Sequence, residues 1–318
     1  MLKELKFVQG AVAKKDFLPA MTHFVIEDGR VRAYNGMIAL SSPLPFDIDC
    51  IPKAEPLVKA ISNCNETVTL SMTPAGKLRI QSGKFRAFVD CIEEETMHVV
   101  PEGEEVELDG EAMLEALKVI HPFIGDDASR PWTNGVLLRG QSAFATNNVI
   151  LVEYWVGAQF PFTVNVPRQA IREMLRINEA PTHAQVTENS ITFHYSDGRW
   201  VRAQLFESEW PDMAKVLDKE VNATVVDQRI FEALTTIKPF ADKMGRVFID
   251  DGVLSTSQDA DVEGASYEIP GLPFAGIYNI EMLNLLKSVV THADFTTYPQ
   301  PCLFYGERLR GAIIGMKP

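Results

Sequence analysis

At 318 residues with 46% hydrophobic content, the chain can bury ordinary cores without disulfide or metal staples, so a globular protein is expected. Its formal net charge of −13 argues at first sight against a nucleic-acid partner. Cys50, Cys64, Cys91 and Cys302 form no CxxC pair, which suggests reduced thiols in a cytosolic compartment, and no apolar run is long enough for a signal peptide or membrane span.

Taken in chain order, the first strand signal is 30–34, alternating after the turn pair Asp28-Gly29. Phe46 follows, then the apolar pair and cation Leu57-Val58-Lys59, and a hairpin from Leu78-Arg79-Ile80 to Phe88. Past the linker 102–105, Met113, Leu114, Leu117 and Ile120 recur at helical spacing until Pro122 stops them. A strand at 142–146, Phe162, Met174-Leu175-Arg176 and a hairpin from Ile191-Thr192-Phe193 to Phe206 around Asp197-Gly198 come next. After a second linker near Asp218-Lys219-Glu220, a helix runs up to Pro239. Alternation at Val247, Ile249 and Val253 marks strands on either side of Asp251-Gly252, ahead of Phe274, Leu285-Leu286-Lys287 and a final hairpin from Cys302-Leu303-Phe304 to Ile314.

The order is therefore written three times. Leu114-Glu115-Ala116-Leu117-Lys118-Val119-Ile120-His121-Pro122-Phe123 recurs as Phe231-Glu232-Ala233-Leu234-Thr235-Thr236-Ile237-Lys238-Pro239-Phe240, with Glu, Ala, Leu, Ile, Pro and Phe in register. A third, more diverged copy stands at the front. Each copy reads strand, helix, two or three strands, helix and hairpin, which predicts an α+β chain of three domains at 1–103, 104–218 and 219–318, each with two helices on antiparallel sheets.

Charge is distributed unevenly. Arg168, Arg172 and Arg176 stand at i, i+4 and i+8, a stripe roughly 12 Å long, with Ile171, Met174 and Leu175 on the adjoining arc. Lys59, Arg176 and Lys287 are read as equivalent positions on the second helix of each copy, while acids gather at 93–95, 102–107, 126–127, 250–251 and 259–263.

The run 162–176, the segment Trp132-Thr133-Asn134-Gly135-Val136-Leu137-Leu138, Ala145-Thr146-Asn147, and Trp210-Pro211-Asp212 through Leu217 resemble the middle domain of the bacterial DNA polymerase III beta subunit, the sliding clamp. The apolar tail Ile313-Ile314-Gly315-Met316-Lys317-Pro318 resembles that family's C-terminus, and the short chain fits a divergent or phage-encoded branch. What the resemblance implies is a non-enzymatic replication processivity factor without cofactors, acting in the cytoplasm at the nucleoid, or in a host's cytoplasm if phage-encoded. Two chains closing head to tail would place twelve inner helices about 10 Å apart on a circle roughly 38 Å across. That leaves a hole near 28 Å, enough for a duplex roughly 20 Å wide.

By the same resemblance, Lys14, Lys15, Lys59, Lys118, Arg168, Arg172, Arg176, Lys238, Lys243 and Lys287 would line the hole and touch duplex DNA without sequence preference. A groove for short peptides of the polymerase and clamp loader would be built from Thr146, Val149, Ile150, Leu151, Leu217, Ile314, Gly315 and Met316. Val149-Ile150 stands where that family usually carries a His-Arg pair. The homodimer would close along an edge strand containing Val247 and Phe248.

Two other classes remain open on the residues alone. An acid- or metal-dependent hydrolase or nuclease would use Asp259, Asp261 and Glu263, which faintly match a calcium loop without its closing glutamate, Pro270 standing in its place. A structural virion protein of repeated β-rich domains is the other. No Gly-rich phosphate loop, GxSxG or HExxH is present, and the six histidines are dispersed along the chain.

Overall fold

The computed structural model describes residues 1–15, 18–93, 96–206, 209–258 and 262–317. In the first third, helix α1 (Leu2–Val8) runs into a 3-10 turn (Gln9–Ala11), followed by β1 (Val25–Glu27), β2 (Arg30–Tyr34), β3 (Ile38–Pro43), α2 (Ala54–Ser62), β4 (Val68–Met72), β5 (Lys77–Ser82) and β6 (Phe85–Asp90). The middle third holds β7 (Glu104–Glu107), α3 (Gly110–Ile120), β8 (Gly135–Arg139), β9 (Ser142–Thr146), β10 (Ile150–Trp155), β11 (Val164–Pro167), α4 (Arg168–Ile177), β12 (His183–Val186), β13 (Ser190–His194) and β14 (Trp200–Gln204). The last third comprises α5 (Ala214–Leu217), β15 (Thr224–Val225), α6 (Arg229–Ile237), β16 (Arg246–Asp250), β17 (Val253–Ser255), β18 (Ser266–Glu268), β19 (Gly276–Asn279), α7 (Ile280–Leu285), β20 (His292–Asp294), β21 (Cys302–Gly306) and β22 (Leu309–Ile313).

The duplicated decamer folds alike in both places. α3 ends at Ile120 and α6 at Ile237, and each continues as a 3-10 turn with proline second, His121–Phe123 and Lys238–Phe240. Proline has no N–H to donate back along an α-helix but fits the first turn of a new one, which sets this switch. The same pattern also lies at the front of the chain. Leu2, Leu5, Lys6 and Val8 of α1 fall where Leu114, Leu117, Lys118 and Ile120 fall in α3, with a 3-10 turn again following.

The chain divides into two compact units, Met1–Leu114 with Val166–Phe206, and Glu115–Asn165 with Glu207–Pro318. Unit 1 is built on a seven-stranded sheet in the order β1-β2-β3-β14-β13-β12-β7, together with the separate sheet β4-β5-β6. Unit 2 is built on an eight-stranded sheet in the order β11-β8-β9-β10-β22-β21-β20-β15, together with the sheet β18-β17-β16-β19. Each large sheet thus joins the third strand after the first helix of one repeat to the last strand of the next: Val201 lies opposite Leu40 in the first, and Gly311 opposite Val152 in the second. Gly311 serves a close approach there, because a Cβ on it would stand 2.3 Å from the Phe304 ring and 2.6 Å from the Leu151 carbonyl.

Helix faces supply the cores. Met113, Ala116, Leu117 and Ile120 of α3 are fully buried, as are Leu57 and Ile61 of α2 and Ala170, Ile171 and Met174 of α4. Burying each such aliphatic side chain contributes about 1.5–3 kcal/mol before the entropy of ordering is counted. No helix among the described residues is long and apolar enough to cross a membrane.

Candidate functional site

The basic residues read from the sequence fall mostly on helix surfaces. In unit 1, Lys59 on α2 and Arg172 on α4 are exposed, Arg168 is half-buried, and Lys14 and Lys15 are exposed in the segment before the Pro19–Thr22 turn. In unit 2, Lys238 and Lys287 line one shallow hollow with Thr235 and Asn284, Lys238 is paired with Glu281 at 3.1 Å, and Lys243 is exposed beyond it. Lys118 is exposed in the part of α3 that belongs to this unit. Among the described residues, Lys59, Lys118, Lys243, Lys287 and Arg172 carry no ion pair, so these cations remain available to an anionic partner. Lys3 and Lys6, exposed on α1, belong with this set and were not singled out from the sequence, although the Leu-x-x-Leu-Lys pattern shared with α3 carries the signal.

The stripe of three arginines is not uniform. Arg176 donates through Nε to Glu173 at 2.6 Å and through its two terminal nitrogens to the carbonyls of Lys6 and Phe7 at 3.3 and 2.7 Å. These are among the last carbonyls of α1, which have no partner within the helix. Gly10 permits the approach, since a Cβ there would stand 1.9 Å from the Glu173 carboxylate. Arg176 is therefore a tie between α4 and α1 with an acidic partner on its own face. Buried residues also reset the helix register: Ala54, Leu57, Val58 and Ile61 of α2 match Pro167, Ala170, Ile171 and Met174, which sets Lys59 against Arg172 rather than Arg176.

The residues expected to form a peptide groove lie together in unit 2. Leu151 faces Ala312 across β10 and β22, Phe144 faces Leu137 across β9 and β8, and Leu303 completes an apolar sheet face. Met213 and Leu217 at α5 pack onto that face beside Trp210. Arg310 clamps the arrangement, pairing with Glu153 at 2.6 Å and with Asp218 at 2.7 Å. The tail is pinned by backbone bonds: Ile314 N–H donates to the Val149 carbonyl at 2.9 Å, Met316 N–H donates to Ile277 at 2.7 Å, and the Tyr298 hydroxyl donates to the Met316 carbonyl at 2.8 Å.

This geometry divides the expected groove residues. Ile150 and Leu217 are core, 0% and 3% exposed, and Thr146 is buried with its hydroxyl donating to the Ile150 carbonyl. None of the three offers side-chain surface, contrary to expectation. Val149, Leu151, Gly315 and Met316 are half-buried and Ile314 is exposed, so the accessible apolar surface is carried by these five. The turn 147–149 is held rigidly, with Asn147 Oδ1 accepting from the N–H groups of Val149 and Ile150.

Val247 and Phe248 do not lie on an edge strand. β16 is interior, its Phe248 opposite Ser255 of β17 on one side and Ile277 of β19 on the other, and Val247 is fully buried. β16 is thus flanked by a strand on each side, so a partner chain does not find a free edge there. In the smaller sheets the edges belong to β18 and β19 in unit 2 and to β4 and β6 in unit 1. On these edge strands the chain also exposes large apolar side chains, Phe88 at 55% and Met72 at 41% in unit 1 and Tyr267 at 37% in unit 2, and Phe240 in the turn after α6 is 53% exposed. Phe123, the counterpart of Phe240 in the duplicated decamer, is by contrast 1% exposed.

Histidines dispersed in the sequence do not all stay apart. His183 and His194 stack across β12 and β13 with ring centroids 4.5 Å apart, and His194 Nε2 lies 2.8 Å from Gln185 Oε1. Burial, then the neighbouring His183, lowers the pKa of His194 below the usual histidine value, with Glu105 acting the other way. No group of three or more His, Cys, Asp or Glu among the described residues is arranged to hold a metal ion, while Asp259 and Asp261 lie outside the described residues.

No family model matches the sequence, and no curated protein matches it. The fold, however, is shared with bacterial DNA polymerase III beta sliding clamps. The chain is similar to the Pseudomonas aeruginosa sliding clamp crystallised with griselimycin (TM-score 0.83, 17% identity), to the Caulobacter crescentus polymerase III beta protein (TM-score 0.84, 17%) and to the Bacillus subtilis polymerase sliding clamp (TM-score 0.82, 15%). Each match covers 100% of this chain and 97% of the other. The α+β architecture expected from the sequence is thereby established as the sliding-clamp fold.

Proposed function

We propose that the protein is a DNA sliding clamp, a non-enzymatic ring of two chains, each contributing three clamp-type domains, that encloses duplex DNA and tethers a replicative polymerase. The observation that carries this reading is the open pair of edges. Within the chain, the third strand after a repeat's first helix twice pairs with the last strand of the following repeat, β3 with β14 and β10 with β22. The third strand after the first helix of the last repeat is β18 and the last strand of the first repeat is β6, and both keep a free edge. One chain's β18 against its partner's β6 would repeat the two internal joints at the strands that carry Phe88 and Tyr267. Used twice in a two-fold dimer, that joint leaves neither edge open, which is how closed assemblies remove sticky strands.

Within such a ring, Lys3, Lys6, Lys59, Lys118, Arg168, Arg172, Lys238, Lys243 and Lys287, with Lys14 and Lys15, supply weak phosphate contacts. Sequence-independent contacts of this kind hold DNA loosely enough to slide, and enclosure supplies the retention. Val149, Leu151, Ile314, Gly315 and Met316 form the docking surface for a short peptide of the polymerase or loader, with the rigid 147–149 turn as its rim. The reading is tested by trapping the protein on circular plasmid DNA and then cutting the plasmid. A clamp stays on the circle at high salt and leaves the linear product by its ends; equal loss from both forms would overturn enclosure.

A further inference from the structure

Unit 1 encloses a cavity of about 210 Å³ against one face of its large sheet, lined by Ala20, Met21, His23, Tyr34, Met97 and Trp200, among others. It is larger than the ~150 Å³ apolar cavity that takes up benzene. The internal repeat explains why it exists. In both units a proline opens a 3-10 turn, Pro19–Thr22 and Pro131–Asn134, and the strand after it pairs identically, with Val25 opposite Arg32 and Leu137 opposite Phe144. This register sets Ala20 in the place of Trp132. Counting from the ends of β6 and β14 likewise sets Thr96, the neighbour of Met97, in the place of Trp210.

Unit 2 fills the corresponding space itself. Trp132 and Trp210 meet edge to face with centroids 5.1 Å apart, and Trp210 packs on the apolar sheet face. Unit 1 has the same turn, but Ala20 and Thr96 where those indoles stand.

We propose that this cavity receives a tryptophan side chain presented by an extended peptide of a partner protein. Its walls suit an indole: Trp200 and Tyr34 offer aromatic surface, and Met21 and Met97 offer adaptable thioethers. Among its polar lining residues, which also include Thr96, His98 and the paired Glu27 and Arg32, His23 suits one too. His23 Nδ1 lies 2.6 Å from the Pro19 carbonyl, which can only accept, so the proton sits on Nδ1 and Nε2 is the acceptor that an indole N–H requires. A peptide is favoured over a free heterocycle because the chain meets the same geometry in unit 2 with an indole carried on its own backbone. At the rim, Leu18 and Met97 are 55% and 65% exposed, apolar surface that residues flanking the tryptophan would cover. The proposal does not depend on the clamp reading.

Calorimetric titration of the full chain tests it, using acetyl-Gly-Trp-Gly-amide, the same peptide with 1-methyltryptophan, and free indole. The tryptophan peptide should bind about tenfold or more tightly than either of the others. Ala20→Trp, which copies the unit 2 solution, should abolish binding and raise the thermal midpoint. His23→Phe should make the two peptides bind equally. Absence of heat with the tryptophan peptide at millimolar concentration would overturn the proposal, as would unchanged binding to Ala20→Trp, and free indole binding as tightly as the peptide would overturn the peptide occupant. Should Ala20→Trp fail to fold, Ala39→Leu narrows the same cavity from the sheet side and is judged by the same loss of binding.

Discussion

Arg176 reaches from α4 to the end of α1, where its guanidinium donates to the Phe7 carbonyl at 2.7 Å while holding Glu173 at 2.6 Å. Its neighbour one turn earlier, Arg172, is exposed and makes no such bond. Single replacements should therefore separate two roles that the sequence stripe presents as one. Arg176→Ala should lower unfolding stability by roughly 1–3 kcal/mol, because it removes charge-assisted bonds and leaves helix-end carbonyls without a donor. Arg172→Ala should stay within roughly 0.5 kcal/mol of the parent yet reduce the salt slope of duplex binding by about one unit. Denaturant midpoints and binding isotherms at several salt concentrations decide it, and the reverse assignment would place Arg172 in the scaffold.

The stacked pair His183 and His194 gives unit 1 a pH dependence of definite sign. Folding lowers the His194 pKa, mainly by burial and then by His183, with Arg30 acting the same way and Glu105 against it. The unfolded chain therefore binds the proton more readily. Stability should be complete above the ordinary histidine value of 6.5 and should fall as pH drops below it. Urea midpoints measured between about pH 7.5 and 5.5 should decline, and His194→Gln should flatten that decline if this histidine causes it.

How much of this was legible beforehand differs by physical origin. Helix positions were, because Leu117, Ile120 and their copies Leu234 and Ile237 repeat at helical spacing and Pro122 and Pro239 act locally on the backbone. Sheet order was not, since pairing β3 with β14 joins residues some 160 positions apart, and no local pattern reveals which edge of β16 is used. That is why Val247 and Phe248 looked like an interface and proved interior, while Phe88 went unremarked in its hairpin. Leu217 shows the same limit at the groove: an apolar residue in a linker reads as surface until Phe144, Leu137 and Ala312 are seen beneath it. Leu217→Ala should accordingly cost roughly 2–5 kcal/mol of stability, as core truncations do.

The edge proposal predicts a separation of its own. Phe88→Asp puts a charge on an exposed edge strand that needs no further packing in the single chain, so each unit should stay folded while the dimer dissociates. Desolvating an unpaired carboxylate at a strand joint costs several kcal/mol, enough to shift the dissociation constant by orders of magnitude. Sedimentation equilibrium reads the mass directly. A dimer of unchanged affinity would place the joint elsewhere on the chain.

Cys50 offers a chemical check on unit 1. Burial, followed by the nearby Cys91 and Asp49, pushes its thiol pKa up to about 12, so the thiolate that reacts with alkylating agents is scarce at neutral pH. Mass mapping after a short iodoacetamide pulse should find Cys50 unmodified in the native protein and modified in urea. Rapid native labelling would mean that the segment bridging Ile26 to Cys50 opens readily.

The tail decides between scaffold and docking surface. Removing residues 314–318 deletes the bonds from Ile314 to Val149, from Met316 to Ile277 and from Tyr298 to Met316, each worth about 1 kcal/mol net, but spares Ile313, which is fully buried in β22. Unit 2 should therefore remain folded with its thermal midpoint lowered by a few degrees. Loss of Ile314, Gly315 and Met316 takes away three of the five accessible residues of the proposed groove, so stimulation of the cognate polymerase should disappear while the protein is still retained on circular DNA. Met316→Ser alone should weaken polymerase binding with little change in stability, because the backbone bonds of that residue survive the substitution. If the truncated chain unfolds, the tail is a structural strap; if it stimulates the polymerase as the full chain does, the peptide docks elsewhere.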